Sequence, residues 1–507
     1  MKLRDKRIRR KNSSRVGEPA SEGVEQTGKG IGTSRVAVMR AWARRDTISL
    51  ILILLAAAVF RFLNLNYMEF KADEAGYCFL AASLASGKTF PLVGIPSSIG
   101  TLNPPFFIYL MGIPLLFSRN PVIAAGFVAL LNCAAVGLCY VFCRRYFGQI
   151  AAIVAAVFFA VNPWAVLYNR KIWQSDVLPL FVIGFFFSLF AVVCEGRKKH
   201  LLTCFACLAA TMQLHLSSVY FLVVLVLILL WFRPKVGWGI YLGGFAVAFL
   251  FYVPYVLFDL LNRGFNAKIY LHTLSSHSRF HLDAAIAPFQ LASTLGFMHF
   301  VNLLPLDMIQ NIFLTFGLVY LFFRRSDPRY AILFAWFFIP WGFFLMSKTE
   351  IYPHYFLCLY PVQFIAVGIA AKELMQDRQS RSKILPYATP ALLSVLIAYQ
   401  LSSSVKFVTS IAGHEPFAWM TYSPGYGPPF RFRVEEIRDL AQKGIVDPEA
   451  VQKAIVQSKP PNIAVYYDFP STKYIVENLN ALPRDWACSS CTTAHKDHAA
   501  IVPQPLP

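Results

Sequence analysis

Two adjacent acids, Asp73 and Glu74, follow the first long apolar run of the chain, with Lys71 just before them and Tyr77 just after. Carboxylates at a membrane edge are costly unless they sit in water or in a polar site. There, such an acid can act as a general base, taking a proton from an attacking hydroxyl. If a helix starts near Asp73, then Asp73, Tyr77, Leu80, Ala81 and Leu84 share one face. That pattern predicts a helix lying along the membrane surface with an acid at its N-terminal end. The structural alternative is that Asp73 only caps that helix.

Cations recur beside other apolar runs. The stretch Tyr168-Asn169-Arg170-Lys171-Ile172-Trp173-Gln174-Ser175-Asp176 sets Arg170 and Lys171 near a further acid, Asp176. A carboxylate close to a cation can hold a metal or the amino group of a substrate, or can simply be an ion pair between two helix ends. A later segment, Met346 to Tyr355, offers Lys348, Glu350, His354 and Tyr355. His215 interrupts an apolar stretch, and 259–303 mixes aromatic, His and basic residues (Lys268, His272, His277, Arg279, His281, His299). These histidines do not fall at a metal-ligand spacing, and the length of 259–303 suggests a lid built of loop and short interfacial helices. Cys488, Cys491, His495 and His498 form C-x2-C-x3-H-x2-H, tighter than known zinc fingers; a local disulfide or no role weighs more. The remaining Cys fall mostly inside apolar runs, as small apolar residues do.

The elements that must position these groups are membrane helices. The chain has 507 residues, 56% of them hydrophobic and 15% charged, with 46 Phe and 23 Tyr. Its mean hydropathy is +0.51. Repeated apolar runs make it an all-α polytopic membrane protein. Candidate spans are 47–63, 121–143, 149–167, 177–194, 201–214, 217–232, 237–258, 304–323, 330–346, 352–371 and 385–405. The run 104–117 is short and broken by Pro114. Left out as a span, it places Arg144-Arg145, Arg197-Lys198-Lys199, Arg233-Lys235, Arg324-Arg325 and the Lys372–Lys383 loop all on the cytoplasmic side. The expectation is about eleven spans, N-terminus inside and C-terminus outside, with nearly all other polar clusters on the outer face.

The net charge of +20 does not point to nucleic acid. Residues 1–45 hold 13 Lys and Arg against 4 Asp and Glu and too few apolar residues to fold, so they read as a disordered cytoplasmic tail. No cleavable signal peptide is expected, because the first apolar run is long and lies far from the start. Residues 46–405 form the transmembrane domain. After residue 406 the pattern changes: VEEIRDLAQKG and STKYIVENLNAL read as helices and NIAVYYDF (462–469) as a strand, predicting a small extracytoplasmic α/β domain over 406–507.

The order Arg61, Asp73-Glu74, Tyr77, Ala81, Gly87, Asn103-Pro104-Pro105, Tyr109 resembles the first extracytoplasmic loop of the lipid-phosphate-dependent GT-C glycosyltransferases. The likeness is to the branch holding the protein O-mannosyltransferases (glycosyltransferase family 39-like) and the bacterial aminoarabinose transferase of lipid A. It runs over about the first two-thirds of the chain, in pattern more than in identity. It implies an inverting transfer of a sugar from a polyprenyl-phosphate donor to a glycan, lipid or protein acceptor at the outer face of the plasma membrane. Asp73 would be the base, with Glu74 beside it. Lys71, Arg170, Lys171, Lys348 and His354 would face the donor phosphate, and Tyr77, Asp176 and Tyr355 would complete the substrate site. In that branch Arg or Lys usually precedes the Tyr at the position of His354, so Lys348 would supply the missing charge. A divalent metal ion is the one cofactor left open. No nucleotide-binding Gly-rich loop occurs, in keeping with a lipid-borne donor. A transporter or flippase for lipid-linked sugars is the alternative, but it predicts ionisable residues through the depth of the bundle, and the spans carry almost none.

Overall fold

The computed structural model describes residues 28–275, 278–295, 297, 304–348, 351–376, 384–413, 427–459, 464–483 and 486, with side chains described from Arg45 onward. The chain divides into two units at Ser49, and the second, from Leu50, carries everything below. Helix α1 is Gly28–Phe62, so the helix begins well before the expected span at residue 47, inside the segment read as a disordered tail. The run Val36–Arg45 contains strong helix formers, which extend the apolar helix in the N-terminal direction.

The helices that follow are α2 (Ala72–Ala85), α3 (Phe106–Leu115), α4 (Pro121–Tyr146), α5 (Gln149–Val161), α6 (Pro163–Tyr168), α7 (Leu178–Val193), α8 (His200–Leu214), α9 (Tyr220–Phe232) and α10 (Trp238–Leu261). After them come α11 (Phe265–Ser275), α12 (Leu282–Ala292), α13 (Leu304–Phe323), α14 (Pro328–Leu345), α15 (Tyr360–Gln376) and α16 (Leu385–Ser410). The chain is a multi-pass helical membrane protein. Among the described residues, six helical stretches are long and apolar enough to cross a bilayer: Pro121–Tyr146, Gln174–Val193, Trp238–Leu261, Leu304–Phe323, Pro328–Leu345 and Leu385–Ser410. Of the other expected spans, 47–63 lies in the long α1, and 149–167, 201–214, 217–232 and 352–371 hold shorter helices. The expected span 149–167 is broken in two because Asn162 caps α6 through the backbone N–H of Ala165, at 2.9 Å, and Pro163 cannot continue α5. The run 104–117 carries only the ten-residue α3.

Small residues let the inner helices touch backbone to backbone, as bilayer packing requires. A Cβ on Gly368 of α15 would lie 2.4 Å from the Ala151 carbonyl oxygen of α5, and one on Gly317 of α13 would lie 2.3 Å from that of Ala366. Two buried arginines, Arg61 and Arg170, tie the end of α1 to its surroundings. Arg61 donates to the carbonyls of Ala160 and Phe159 at 3.0 and 3.2 Å.

The described part of the C-terminal region is helical: α17 (Phe430–Gln442), α18 (Pro448–Ser458) and α19 (Phe469–Asn478). The strand expected over 462–469 is absent from its described portion. Asp468 instead caps α19 by accepting the Ser471 N–H at 2.8 Å, and Pro470 sits in the first turn. These helices pack on the segment leading into α2. The Phe430 N–H donates to the Met68 carbonyl at 2.8 Å. Buried Arg433 donates to that of Phe70 at 2.9 Å and to Thr472 Oγ1 at 2.9 Å. Phe70 lies between the rings of Phe430 and Tyr474.

Candidate active site

The first turn of α2 sorts the two acids. Lys71 is the residue before the helix, in extended conformation, and Glu74 reaches back so that its carboxylate accepts the Lys71 N–H at 3.0 Å. Glu74 is thereby buried. Asp73 instead opens onto a cavity of about 1190 Å³, with the Trp173 indole near enough to favour its charged form. Although open to the cavity, it is surrounded by protein on most sides. Desolvation raises its pKa above the usual aspartate value, against the opposing pull of Trp173, Lys71 and Lys171. Tyr77, one turn further on, lies edge-on to Phe107 at 4.8 Å.

The cavity wall also takes in Lys71, Tyr77, Lys171, Lys348, His354 and Tyr355. It is completed by the loop Ile95–Pro104, by Trp173 to Ser175, and by Tyr252, Tyr255 and Tyr270. The lid expected over 259–303 does contain short helices, and α11 supplies Tyr270, Thr273 and Leu274 to the wall. Lys171 pairs with Glu69 at 2.6 Å, and its ammonium lies 5.0 Å from the centre of the Trp173 ring. Lys71 pairs with the same carboxylate. Burial, and then the neighbouring Lys171, lower the Lys71 pKa to about 8. Lys348 stands at the rim, donating to the Leu274 carbonyl. The expected span 352–371 starts late: Pro353–Cys358 form a short 3-10 turn ahead of α15, and this turn presents His354 and Tyr355 to the cavity. The His354 ring lies 4.3 Å from Trp173 and 5.5 Å from His215. Burial, and then His215 and Lys171, hold its pKa well below the usual imidazole value. It is therefore an uncharged ring near neutral pH, packed against Trp173 and His215.

Three expected site residues do not reach the cavity. Glu74 braces the helix start, as described. Arg170 is fully buried and donates to the carbonyls of Phe60, Leu63 and Asn64 at 2.9, 2.6 and 2.7 Å, closing the C-terminal end of α1. Asp176 is buried below the wall, its backbone carbonyl accepting from Asn132 at 2.9 Å. In the turn Gln174–Val177, residues 174 and 175 face the cavity and 176 turns away.

The sequence reading missed Glu69 and Trp173. Glu69 is wholly buried and holds both cavity lysines. The only sequence sign of it was an acid two residues before Lys71. Among the described residues no group of three or more His, Cys, Asp or Glu is arranged to hold a metal ion. Cys488, Cys491, His495 and His498 lie outside the described residues.

No protein-family profile matches the sequence, and neither does any curated protein. Solved structures do match in fold. The crystal structure of ArnT from Cupriavidus metallidurans in the apo state superposes with a TM-score of 0.52 at 17% identity, over 85% of this chain and 76% of that one. The same protein bound to undecaprenyl phosphate gives 0.48 at 15% identity, over 87% and 77%. The archaeal oligosaccharyltransferase AglB from Archaeoglobus fulgidus, in complex with an inhibitory peptide and a dolichol-phosphate, gives 0.43 at 14% identity, over 84% and 60%. The apo ArnT match carries the conclusion: the fold is of the GT-C kind that the loop after α1 resembles.

Proposed function

We propose that this chain is an inverting glycosyltransferase that moves a sugar from a polyprenyl-phosphate donor to an acceptor hydroxyl at the extracytoplasmic face of the membrane. One observation carries this reading: Asp73 opens onto a large cavity whose adjoining wall includes Lys71 and Lys171. Base and cations are the two things a single displacement at an anomeric carbon requires. The acceptor O–H gives its proton to Asp73 as its oxygen bonds to the anomeric carbon. The bond from that carbon to the phosphate oxygen breaks, and its electron pair leaves with the lipid phosphate beside the lysines. Desolvation makes Asp73 a stronger base than an aspartate in water.

Residues 46–405 are the catalytic body in this reading. Helices α17 to α19 form an outer cap that packs on the segment leading to Asp73, and the basic loops and the N-terminus face the cytoplasm. Two experiments test it together. Membrane lipids and glycans compared by mass spectrometry with and without the gene should show the loss of one glycosylated product and accumulation of a polyprenyl-phosphate sugar. Reporter fusions at Arg144, Arg197 and Leu440 should place the first two inside and the last outside. A cytoplasmic Leu440, or unchanged lipids and glycans, would overturn the reading.

A further inference from the structure

Glu69 is the one fully buried carboxylate in contact with two cavity lysines among the described residues. Its backbone is fixed by an antiparallel bridge to Pro429, between the Met68 and Phe70 carbonyls that receive hydrogen bonds from α17. Lys71 is confined from the other side as well: a Cβ on Gly427 would lie 2.8 Å from its Cδ. Two ammonium groups drawn to one carboxylate out of water are held close together, at an orientation set by the protein rather than by solvent. Left to themselves they would repel, and one would shed its proton or turn away.

We infer that Glu69 is a positioning residue that keeps Lys71 and Lys171 charged and paired, as a preformed cradle for the phosphate of the lipid donor. The inference rests on the proposed function and extends it to a residue that does not itself line the cavity. Lys71 faces Glu69, Asp73, Glu74, Lys171 and Asp468. Lys171 is faced in addition by Tyr168, Asp176 and His354. With the Glu69 charge removed, Lys71 beside Lys171 keeps its proton only at lower pH. While Lys71 is charged the cradle still binds an anion, because the net positive charge has grown. Once it is neutral the cradle fails.

The test is binding of undecaprenyl phosphate to the purified full chain in nanodiscs between pH 6 and 9, comparing wild type with Glu69→Gln at each pH so that ionisation of the phosphate itself cancels. The variant should bind as well as wild type at pH 6 and about tenfold or more weakly at pH 8.5. The pH of half-loss should fall by about one unit or more. Glu69→Gln should cost less in a Lys171→Met background than in wild type, because Lys71 then has no like charge beside it to be held against. A ratio to wild type that is the same at every pH, or full additivity with Lys171→Met, would overturn the inference and leave the proposed function standing. Wild type that does not bind undecaprenyl phosphate would remove the proposed function, and this inference with it. Should Glu69→Gln fail to fold, Glu69→Asp decides: it keeps the charge at shorter reach, so its pH of half-loss should stay at the wild-type value, and a fall would overturn the inference.

Discussion

The Glu74 carboxylate accepts the backbone N–H of Lys71 at 3.0 Å and so closes the first turn of α2 on itself. This hydrogen bond separates two acids that are adjacent in sequence, leaving only Asp73 open to the cavity. Asp73→Asn keeps size and shape while removing the base. The expected result is a normally inserted protein that binds donor and loses on the order of 10²-fold or more in turnover. Glu74→Gln still offers an oxygen to the Lys71 N–H and should retain most activity. Steady-state kinetics of the two variants check this. An active Asp73→Asn beside an inactive Glu74→Gln would reverse the assignment.

The pH profile of kcat/KM follows from two groups. As pH falls through the raised pKa of Asp73, the base is protonated, so the acid limb should lie above the usual aspartate value. As pH rises through about 8, Lys71 loses its proton and the departing phosphate loses a cation, so activity should fall there. Lys71→Arg, which stays charged, should extend activity to higher pH. An alkaline limb unmoved by that substitution would mean that Lys71 is not the titrating group.

Lys348 and His354 line the cavity from the segment between α14 and α15. Lys348 is half tethered at the rim, and His354 is packed on Trp173, which favours the Asp73 charge. Lys348→Ala should raise the KM for the lipid donor several-fold, since a rim charge chiefly aids capture of an anion. His354→Ala should lower kcat instead, by letting Trp173 shift. Wild-type kinetics in the double variant would show that this side of the cavity takes no part.

Arg433 has no contact with the cavity and still matters to it. Its guanidinium donates to the Phe70 carbonyl, to Ser471 and to Thr472 while fully buried. Arg433→Met leaves these partners buried without donors, a cost of about 2–3 kcal/mol. A lower thermal midpoint in detergent and reduced turnover are expected together. An unchanged midpoint would show that the contact is dispensable.

The sequence made the helices and Asp73 legible because both depend on local pattern: apolar runs of bilayer length, and an acid at the start of an amphipathic repeat. Lys71, Lys171 and Tyr355 were legible for a related reason, as polar residues flanking those runs. Arg170 was misleading. Its charge and its place beside Lys171 suggested a cavity residue, but nothing in the sequence says which way its side chain turns, and the carbonyls at the end of α1 claim it. Glu69 was hidden because its partner Lys171 is distant in the chain. Arg433 lies just before the helix read over 434–444 and drew no reading, and its buried place depends on the Phe70 carbonyl. The alternating NIAVYYDF read as a strand, and the cap at Asp468 with Pro470 behind it prevailed. The places of Arg170, Glu69 and Arg433 are set by long-range contacts that periodicity does not encode, whereas the strand misreading was settled by a local cap.

The hydrogen bonds that Met68 and Phe70 accept from Phe430 and Arg433 join parts of the chain that leave the ribosome far apart in time. When α16 has been made and the bundle is already in the bilayer, those two carbonyls, which flank Glu69, still lack their donors. The backbone that carries Glu69 and Lys71 is thus fastened only once α17 has been made.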